Sequence, residues 1–238
     1  MKRIFLKKIT DELTISGDEA NHLARSLRVK RGDKITAVDG AGNCAVIEFV
    51  DFDKGTITAK RVGELQKVVV EKKIILADCF PKQNRFDNII EKATELGVEK
   101  IQPLISERTI ARPRDNKLER WQRIAKEAAE QCARDTIPEI ENVRKLDDWL
   151  KEITPLDEET LFLFCWELEQ ETTVREILSV NINKNIIVLI GPEGGFSERE
   201  VSEIKAAGGI SVSLGKRILK TDTAAISVLA MINYEFMD

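Results

Sequence analysis

The sequence predicts two parts: a small all-β module over residues 1–70, followed by an α/β domain over residues 71–238 whose sheet is largely parallel. Up to about residue 70, short runs such as IFLKKI, KITAVDGAGNCAVIEFVD and GTITAKRV have the period of strands broken by turns. Beyond residue 68, apolar strand-like runs alternate with stretches of helical period, which is typical of parallel sheets covered on both faces. The boundary is expected near residues 67–73.

Within the α/β part, each element follows from its periodicity. The predicted strands are IILADC, KIQPLI, LFLFCWE, NIIVLIG and ISVSLG. Apolar residues recur at helical spacing from Phe86 to Leu96, before Gly97, and again from Leu118 to Cys132. Further helices are expected near Thr172–Leu178, Ser197–Ala207 and Thr223–Tyr234.

Composition places the chain among soluble globular proteins. Of its 238 residues 42% are hydrophobic and 33% are charged. No apolar run reaches the roughly 18 residues of a membrane span, and the N-terminus lacks the apolar core of a secretory signal. We therefore expect a cytoplasmic protein without a membrane partner.

The cysteines do not form a metal-binding pattern. Cys44, Cys79, Cys132 and Cys165 are far apart without a C-x-x-C pair, and His22 is the one histidine. Three of the four lie in apolar runs, where cysteine usually packs as a small hydrophobic residue. The sequence therefore predicts no metal site.

Charge is unevenly distributed along the chain. The net charge is −4, yet residues 1–70 are net positive. Two stretches are strongly basic: HLARSLRVKRGDK and the segment from Arg108 to Lys126. On charge alone they are either solvated faces or surfaces for nucleic acid.

One glycine pattern is misleading. GAGNCA, from Gly40 to Ala45, matches the dinucleotide fingerprint G-x-G-x-x-A. That fingerprint requires a helix to follow, whereas the strand-like VIEFVD follows here. The sequence therefore favours a hairpin turn at DGAGN.

Two glycine-containing loops follow strands of the α/β part. GPEGGFSERE, from Gly191 to Glu200, contains an S-x-x-E capping box that fixes a helix start at Ser197. LGKRILKTDTAAISVLA repeats the strand, loop and helix arrangement from Leu214. Neither matches the P-loop, and Glu193 would repel phosphate. Ligands of such sheets bind at the strands' carboxyl ends, so the two loops predict one pocket for a ligand with hydroxyls and positive charge.

Five separated stretches resemble one family. HLARSLR with a following GD, PKQNRFDNIIEKATELGVEKIQPLISERT, EAAEQCAR, GPEGG and LGKRILKTDTA are similar, in order, to the RsmE family of bacterial 16S rRNA (uracil-N3) methyltransferases. The resemblance implies a PUA-like β-barrel for RNA over residues 1–70 and a SPOUT methyltransferase domain with a trefoil knot over residues 71–238. It further implies S-adenosylmethionine as cofactor, a homodimer, and 16S rRNA of the assembled small ribosomal subunit as substrate, methylated near the decoding centre.

The resemblance also implies the site residues. The cofactor would contact three loops, with binding residues Cys165, Trp166, Ile190, Gly191, Pro192, Glu193, Gly194, Gly195, Leu214, Gly215, Ile218, Leu219, Thr223 and Ala224. The candidate catalytic residues, which would stabilise a developing uracilate, are Arg217 and Lys220. The candidate RNA-binding residues are His22, Arg25, Arg28, Lys30, Arg31, Arg108 and Arg112.

The chain departs from the family pattern at two positions. Lys220 and Asp222 stand where the family usually has Arg and Glu, and lysine lacks the planar bidentate fork of arginine. Asp222 and Glu193 lie within the motifs, but neither is identified as a general base. Two alternatives stay open at this point: an RNA-binding or ribosome-assembly protein that has lost catalysis, and a related SPOUT enzyme that methylates another position. Cofactor binding and product analysis discriminate among them.

Overall fold

The computed structural model describes residues 3–68, 72–82, 85–111, 117–181 and 185–236. The chain forms two compact units, one of Met1–Val70 with Lys126–Ile137 and the other of Glu71–Ala125 with Pro138–Asp238. The segment 126–137 groups with the first unit, although the sequence analysis placed it in the second domain. The reason is packing, because Ala129 and Ile137 join Phe5 and Val38 in one apolar cluster.

The first unit contains one six-stranded sheet. Its strands are β1 (Arg3–Phe5), β2 (Glu12–Ser16), β3 (Lys34–Val38), β4 (Asn43–Asp53), β5 (Thr56–Arg61) and β6 (Gln66–Lys67). They are ordered β1-β3-β4-β5-β2, with β6 beside β4. The antiparallel register of Val38 with Cys44 makes the DGAGN segment a hairpin connection, which confirms that prediction.

The first unit is not all-β, so that part of the prediction is wrong. Helix α1 (Gly17–Asn21) continues into a π-helical turn, His22–Leu27, which ends at Arg28 in the left-handed conformation with φ of 51°. Leu23 is completely buried, and its carbonyl accepts a hydrogen bond from the Val29 amide at 3.1 Å. The signal was present in the sequence, because Ala20, Leu23 and Leu27 recur at i, i+3 and i+7.

The second unit contains a seven-stranded sheet in which every pairing is parallel. Its strands are β7 (Ile74–Cys79), β8 (Lys100–Ile105), β9 (Glu139–Ile140), β10 (Arg144–Lys145), β11 (Thr160–Cys165), β12 (Asn185–Ile190) and β13 (Ile210–Val212). They are ordered β10-β8-β7-β12-β11-β13, with β9 beside β8. The predicted α/β class and parallel sheet are confirmed.

Helices cover the sheet of the second unit. They are α2 (Arg85–Glu95), α3 (Lys117–Gln131, which continues into the segment of the first unit), α4 (Leu146–Ile153), α5 (Val174–Val180), α6 (Glu198–Ala206) and α7 (Thr221–Phe236). Side chains of α4 and α6 pack with Ala77 and Cys79 of β7 in one core cluster. Helix α7 packs against α2, α5 and β12. Among the described residues, no helix has the length and apolar character that crossing a membrane requires.

Candidate functional site

Three loops meet at the carboxyl end of the parallel sheet in the second unit. They follow β11, β12 and β13, which are neighbours in the sheet, and they enclose a cavity of about 480 Å³. This volume is in the usual range for small-ligand pockets. The cavity is lined by Cys165, Trp166, Glu167, Glu169, Ile190, Gly191, Pro192, Glu193, Gly194, Gly195, Val212, Ser213, Leu214, Gly215, Lys216, Arg217, Ile218, Leu219, Lys220, Thr221 and Ala224.

The predicted pocket residues therefore lie around one cavity, with one exception. Thirteen of the fourteen candidate cofactor residues line it, as do Arg217 and Lys220. Thr223 does not, because helix α7 already begins at Thr221 and leaves the Thr223 side chain exposed. Which of these side chains contact a ligand stays a prediction.

The loop after β12 is shaped by two glycines. A Cβ atom on Gly191 would lie 2.9 Å from Cε2 of Phe196, a ring that is 4% exposed. Gly195 has φ of +68°, which side-chain-bearing residues rarely adopt, and its amide donates to the Pro192 carbonyl at 2.9 Å. The glycines thus allow a tight turn whose backbone faces the cavity.

The capping box predicted at the end of this loop is present. The Ser197 hydroxyl accepts a hydrogen bond from the Glu200 amide, and the Glu200 carboxylate accepts one from the Ser197 amide at 2.9 Å. Glu200 is completely buried. The start of α6 is therefore fixed, and with it the end of the loop.

The segment after β8 holds the same loop in place. The Glu107 amide donates to the second Glu200 carboxylate oxygen at 2.7 Å, and the Ser197 hydroxyl donates to the Glu107 carboxylate at 2.8 Å. The Arg108 guanidinium donates to the Gly194 carbonyl at 3.0 Å. The sequence predicts only RNA contacts for Arg108 and does not predict these hydrogen bonds, because the partners are 86 or more residues apart.

The loop after β11 is organised by Glu169, which the sequence analysis did not select. Its carboxylate accepts hydrogen bonds from the Ser211 hydroxyl and from the amides of Glu171 and Thr172. These bonds, the Ser211 bond above all, lower the pKa of Glu169 to about 2. The Trp166 ring, on the same loop, packs 5.1 Å from the Lys205 ammonium.

The loop after β13 carries the basic residues of the cavity. Gly215 has φ of +108°, and its amide donates to the Ser213 hydroxyl at 3.3 Å. Lys216, Arg217 and Lys220 are all exposed at this loop. Together with Glu167, Glu169 and Glu193 they give the cavity both charge signs, which suits a ligand that is itself both cationic and anionic.

A buried carboxyl lies next to the cavity. Asp78, at the end of β7, is fully buried, and neither of its oxygens has a hydrogen-bond partner among the described residues. Burial, with the negative charges of Glu193 and Asp222, raises the pKa of Asp78 well above its usual range. Burial and then the charge of Asp78 raise the pKa of the Cys165 thiol to about 12, so this thiol is not a nucleophile at neutral pH.

The candidate RNA-binding residues are divided between the units. In the first unit Arg25, Arg28, Lys30 and Arg31 are exposed and His22 is partly buried. Arg108 is exposed in the second unit. Arg112 lies outside the described residues. Within the part of the chain that the structure describes, no cluster of three or more His, Cys, Asp or Glu side chains could hold a metal ion.

Family profiles match both units of the chain. The profile described as an RNA methyltransferase domain matches residues 70–233, which is more than half of the chain. A second profile, described as an RNA methyltransferase PUA domain, matches residues 15–60.

Curated relatives and a solved structure are similar over nearly the full length. The chain is 36% identical to ribosomal RNA small subunit methyltransferase E of Synechocystis, over 93% of this chain and 72% of the relative. It is 28% identical to the Bacillus subtilis protein of the same name, over 99% and 97% of the two chains. The Neisseria gonorrhoeae protein of that name, crystallised with S-adenosyl methionine, superposes with a TM-score of 0.85 at 29% identity, over 98% and 97% of the chains.

Proposed function

Because the chain belongs to the ribosomal RNA small subunit methyltransferase E family, we propose that it methylates N3 of one uridine in 16S rRNA, with S-adenosylmethionine as methyl donor. The substrate is the small ribosomal subunit, modified near the decoding centre. The observation that carries the proposal is the cavity of about 480 Å³ that the loops after β11, β12 and β13 form together. Its position at the carboxyl ends of parallel strands is where α/β sheets bind their ligands.

The cavity suits S-adenosylmethionine in the charges of its lining. The cofactor carries hydroxyls, a carboxylate, an ammonium and a sulfonium, and the lining offers lysine, arginine and glutamate side chains beside loop backbone. Cβ atoms on Gly191 or Gly195 would meet Phe196 or Glu167 at under 3.0 Å, so glycine lets the loop turn tightly against these side chains at the cavity. When bound, the cofactor supplies an electrophilic methyl group on its sulfonium.

The protein's own contribution is positioning and charge stabilisation. Uracil N3 gives up its proton to water before it accepts the methyl group, and this deprotonation places negative charge on O2 and O4. Arg217 and Lys220 line the cavity and are exposed, so their cations can stabilise that charge. Fixing the base beside the cavity makes the transfer effectively unimolecular. Lys220 acts as a point charge, since lysine has no bidentate fork.

RNA binding is assigned to both domains. We propose residues 1–70 as the RNA-binding domain, whose exposed Arg25, Arg28, Lys30 and Arg31 contact phosphates. Residues 71–238 form the methyltransferase domain. In that domain Arg108 is proposed to contact RNA as well. RNA contacts of Arg112 and His22 are part of the same proposal.

Two further features belong to the proposal. The trefoil knot that the family resemblance implies is part of the proposal for the domain that matches the RNA methyltransferase profile, residues 70–233. A homodimer is supported by apolar side chains that α7 leaves exposed, with Met231 at 41% and Tyr234 at 77%. The cytoplasm, where small subunits assemble, is the proposed location.

Labelled methyl transfer tests the function. Tritiated S-adenosylmethionine is incubated with the protein and small subunits that lack the modification, and label in RNA is counted. The wild type is expected to incorporate label. Gly195→Val is expected to fold, by circular dichroism, but to bind no cofactor, because a β-branched residue is strained at φ of +68°. Gly63→Ala, whose Cβ meets Val46 at an ordinary 3.5 Å, is the matched control.

Each other outcome identifies an alternative. Cofactor binding without incorporation into any RNA would indicate a binding protein that has lost catalysis. Normal methyl transfer by Gly195→Val would contradict the assignment of the loop after β12 to the cofactor pocket.

A further inference from the structure

Asp78 is an unexplained feature of the second unit. A fully buried carboxyl without a hydrogen-bond partner among the described residues is costly, and native proteins rarely retain one unless it has a function. Asp78 lies within the apolar strand run IILADC, a pattern that predicts no role for it. The hydrogen bonds described above for the three loops do not involve it.

The sheet register places Asp78 behind the cavity. Asp78 pairs with Ile190, Ile190 pairs with Cys165, and Cys165 pairs with Val212, so the four residues form one row across β7, β12, β11 and β13. Residues in register on parallel strands project from the same face, because side chains alternate along each strand. The other three line the cavity, so Asp78 continues the cavity wall one strand further into the protein.

The charges near Asp78 are mostly negative. Glu193 on the loop after β12 and Asp222 in the first turn of α7 both act on it, and Cys79 and Cys165 are the neighbouring thiols. Among the described residues, the Arg85 guanidinium on α2 pairs with one of these two carboxylates, with 3.8 Å between its Nη1 and Oδ1 of Asp222. Burial first, and then the two carboxylates, raise the pKa of Asp78 well above its usual range. A positive charge placed in the cavity would oppose this shift and favour the ionised form of Asp78.

Glu193 and Asp222 are less suited than Asp78 to stabilise a positive charge in the cavity. Glu193 is exposed, and its carboxylate accepts a hydrogen bond from the Lys82 amide at 2.9 Å. Asp222 already has the Arg85 guanidinium as a counter-charge at 3.8 Å, although its Oδ1 has no hydrogen-bond partner among the described residues. Solvent screens an exposed charge, whereas a charge in the low-dielectric interior acts over several ångströms. Within the described part of the chain, Asp78 has neither solvent nor a hydrogen-bond partner to weaken its field.

We propose that Asp78 is a specificity-determining residue, the buried counter-charge of the cofactor sulfonium, which makes the pocket prefer S-adenosylmethionine over its demethylated product. The inference rests on the proposed function. Donor and product, S-adenosylhomocysteine, differ by one methyl group and one positive charge. Binding the sulfonium ionises Asp78, whose proton leaves to solvent, whereas the neutral thioether leaves Asp78 protonated. After methyl transfer the ionised carboxylate no longer has its counter-charge, which favours release of the product.

Calorimetry in buffers of different ionisation enthalpy measures this proton directly. The wild type is expected to release a proton fraction on binding S-adenosylmethionine and none on binding S-adenosylhomocysteine. Its affinity for the donor rises with pH until Asp78 is ionised in the free protein. Because a charge pair is only partly screened in the interior, the sulfonium charge is expected to make the affinity for the donor about tenfold or more higher than that for the product.

The variant Asp78→Asn isolates the charge, since asparagine keeps the shape. This variant is expected to release no proton on binding the donor and to bind the donor about tenfold more weakly than the wild type. Its affinity for S-adenosylhomocysteine is expected to stay within about twofold of the wild-type value. Asp157→Asn removes an exposed carboxylate just before β11, at the amino end of the strands and opposite the cavity, and is the control for the loss of one carboxylate charge elsewhere in the domain.

The outcomes separate this inference from the function itself. Equal proton exchange and equal affinity for donor and product in the wild type would overturn the role of Asp78 and leave the methyltransferase proposal standing. This comparison needs no variant, so it holds even if Asp78→Asn does not fold. Binding of neither compound by the wild type would overturn both proposals.

Discussion

Gly191→Ala is expected to damage the cofactor pocket through one side chain, Phe196. The new Cβ would lie 2.9, 3.2 and 3.3 Å from three carbons of the Phe196 ring. Ordinary contacts begin near 3.4 Å, so the ring must move by about half an ångström. The ring is 4% exposed and packs on Phe164 with a centroid separation of 6.2 Å and an interplanar angle of 76°, so it cannot move freely.

Overpacking of this kind costs about 1–3 kcal/mol. If the loop relieves the clash by moving into the cavity, the same free energy is lost from binding, which corresponds to about a 5- to 150-fold weaker affinity for S-adenosylmethionine. Urea unfolding measures the first quantity and calorimetry the second. Gly63→Ala is the control, with neither quantity expected to change by more than about 0.5 kcal/mol.

A second substitution tests the mechanism. Phe196→Leu removes ring atoms and should make room for the methyl group that Gly191→Ala introduces, so the double variant should bind the cofactor better than Gly191→Ala alone. Residues in contact typically show coupling energies of about 0.5–3 kcal/mol. Strictly additive losses in the double variant would refute the steric explanation of Gly191.

The other expected effects concern RNA, catalysis and acid stability. The double variant Arg25→Ala with Arg28→Ala should weaken RNA binding and leave cofactor affinity unchanged. The slope of log K for RNA against log salt concentration should become shallower by about 1.4 to 1.8, because two phosphate contacts are lost. An equal loss of RNA affinity in filter binding and of cofactor affinity in calorimetry would contradict the assignment of these arginines to RNA. Arg217→Met should lower kcat about 100-fold and leave cofactor affinity unchanged, because one charge contact to the developing uracilate is lost. A weaker cofactor affinity with unchanged kcat would instead assign Arg217 to cofactor binding. Glu169, whose pKa is lowered to about 2, stabilises the fold above its unfolded pKa, near 4.5, and loses this effect as pH falls towards 2. Glu169→Gln should therefore cost about 1–3 kcal/mol in urea unfolding at pH 7 and less near pH 3, and a loss independent of pH would exclude the carboxylate charge as the cause.

The parts of the fold that depend on local pattern were predictable from sequence. Alternating apolar residues predicted the hairpin between β3 and β4, and the apolar runs predicted β7, β8, β11, β12 and β13. The capping box at Ser197 is also local, since its two residues are three positions apart. Each of these signals is complete within about ten residues, so no tertiary information was needed.

Contacts between distant segments were not predictable. Arg108 donates to Gly194, 86 residues later, and in the sequence it appeared only as one member of a basic stretch. Glu169 could not be distinguished from the other acidic residues of ELEQE until the structure placed Ser211 beside it. Asp78 differs from its apolar neighbours in the sequence, but only the sheet register places it beside Ile190 and the cavity.

The identity of the methylated nucleoside tests the central claim most directly. Small subunits lacking the modification are incubated with the protein and S-adenosylmethionine, the RNA is digested to nucleosides, and the products are separated and weighed against standards. A peak of 3-methyluridine that requires both protein and cofactor is the predicted result. A different methylated nucleoside, or none although the cofactor binds, would contradict the assignment of this protein as a uracil-N3 methyltransferase.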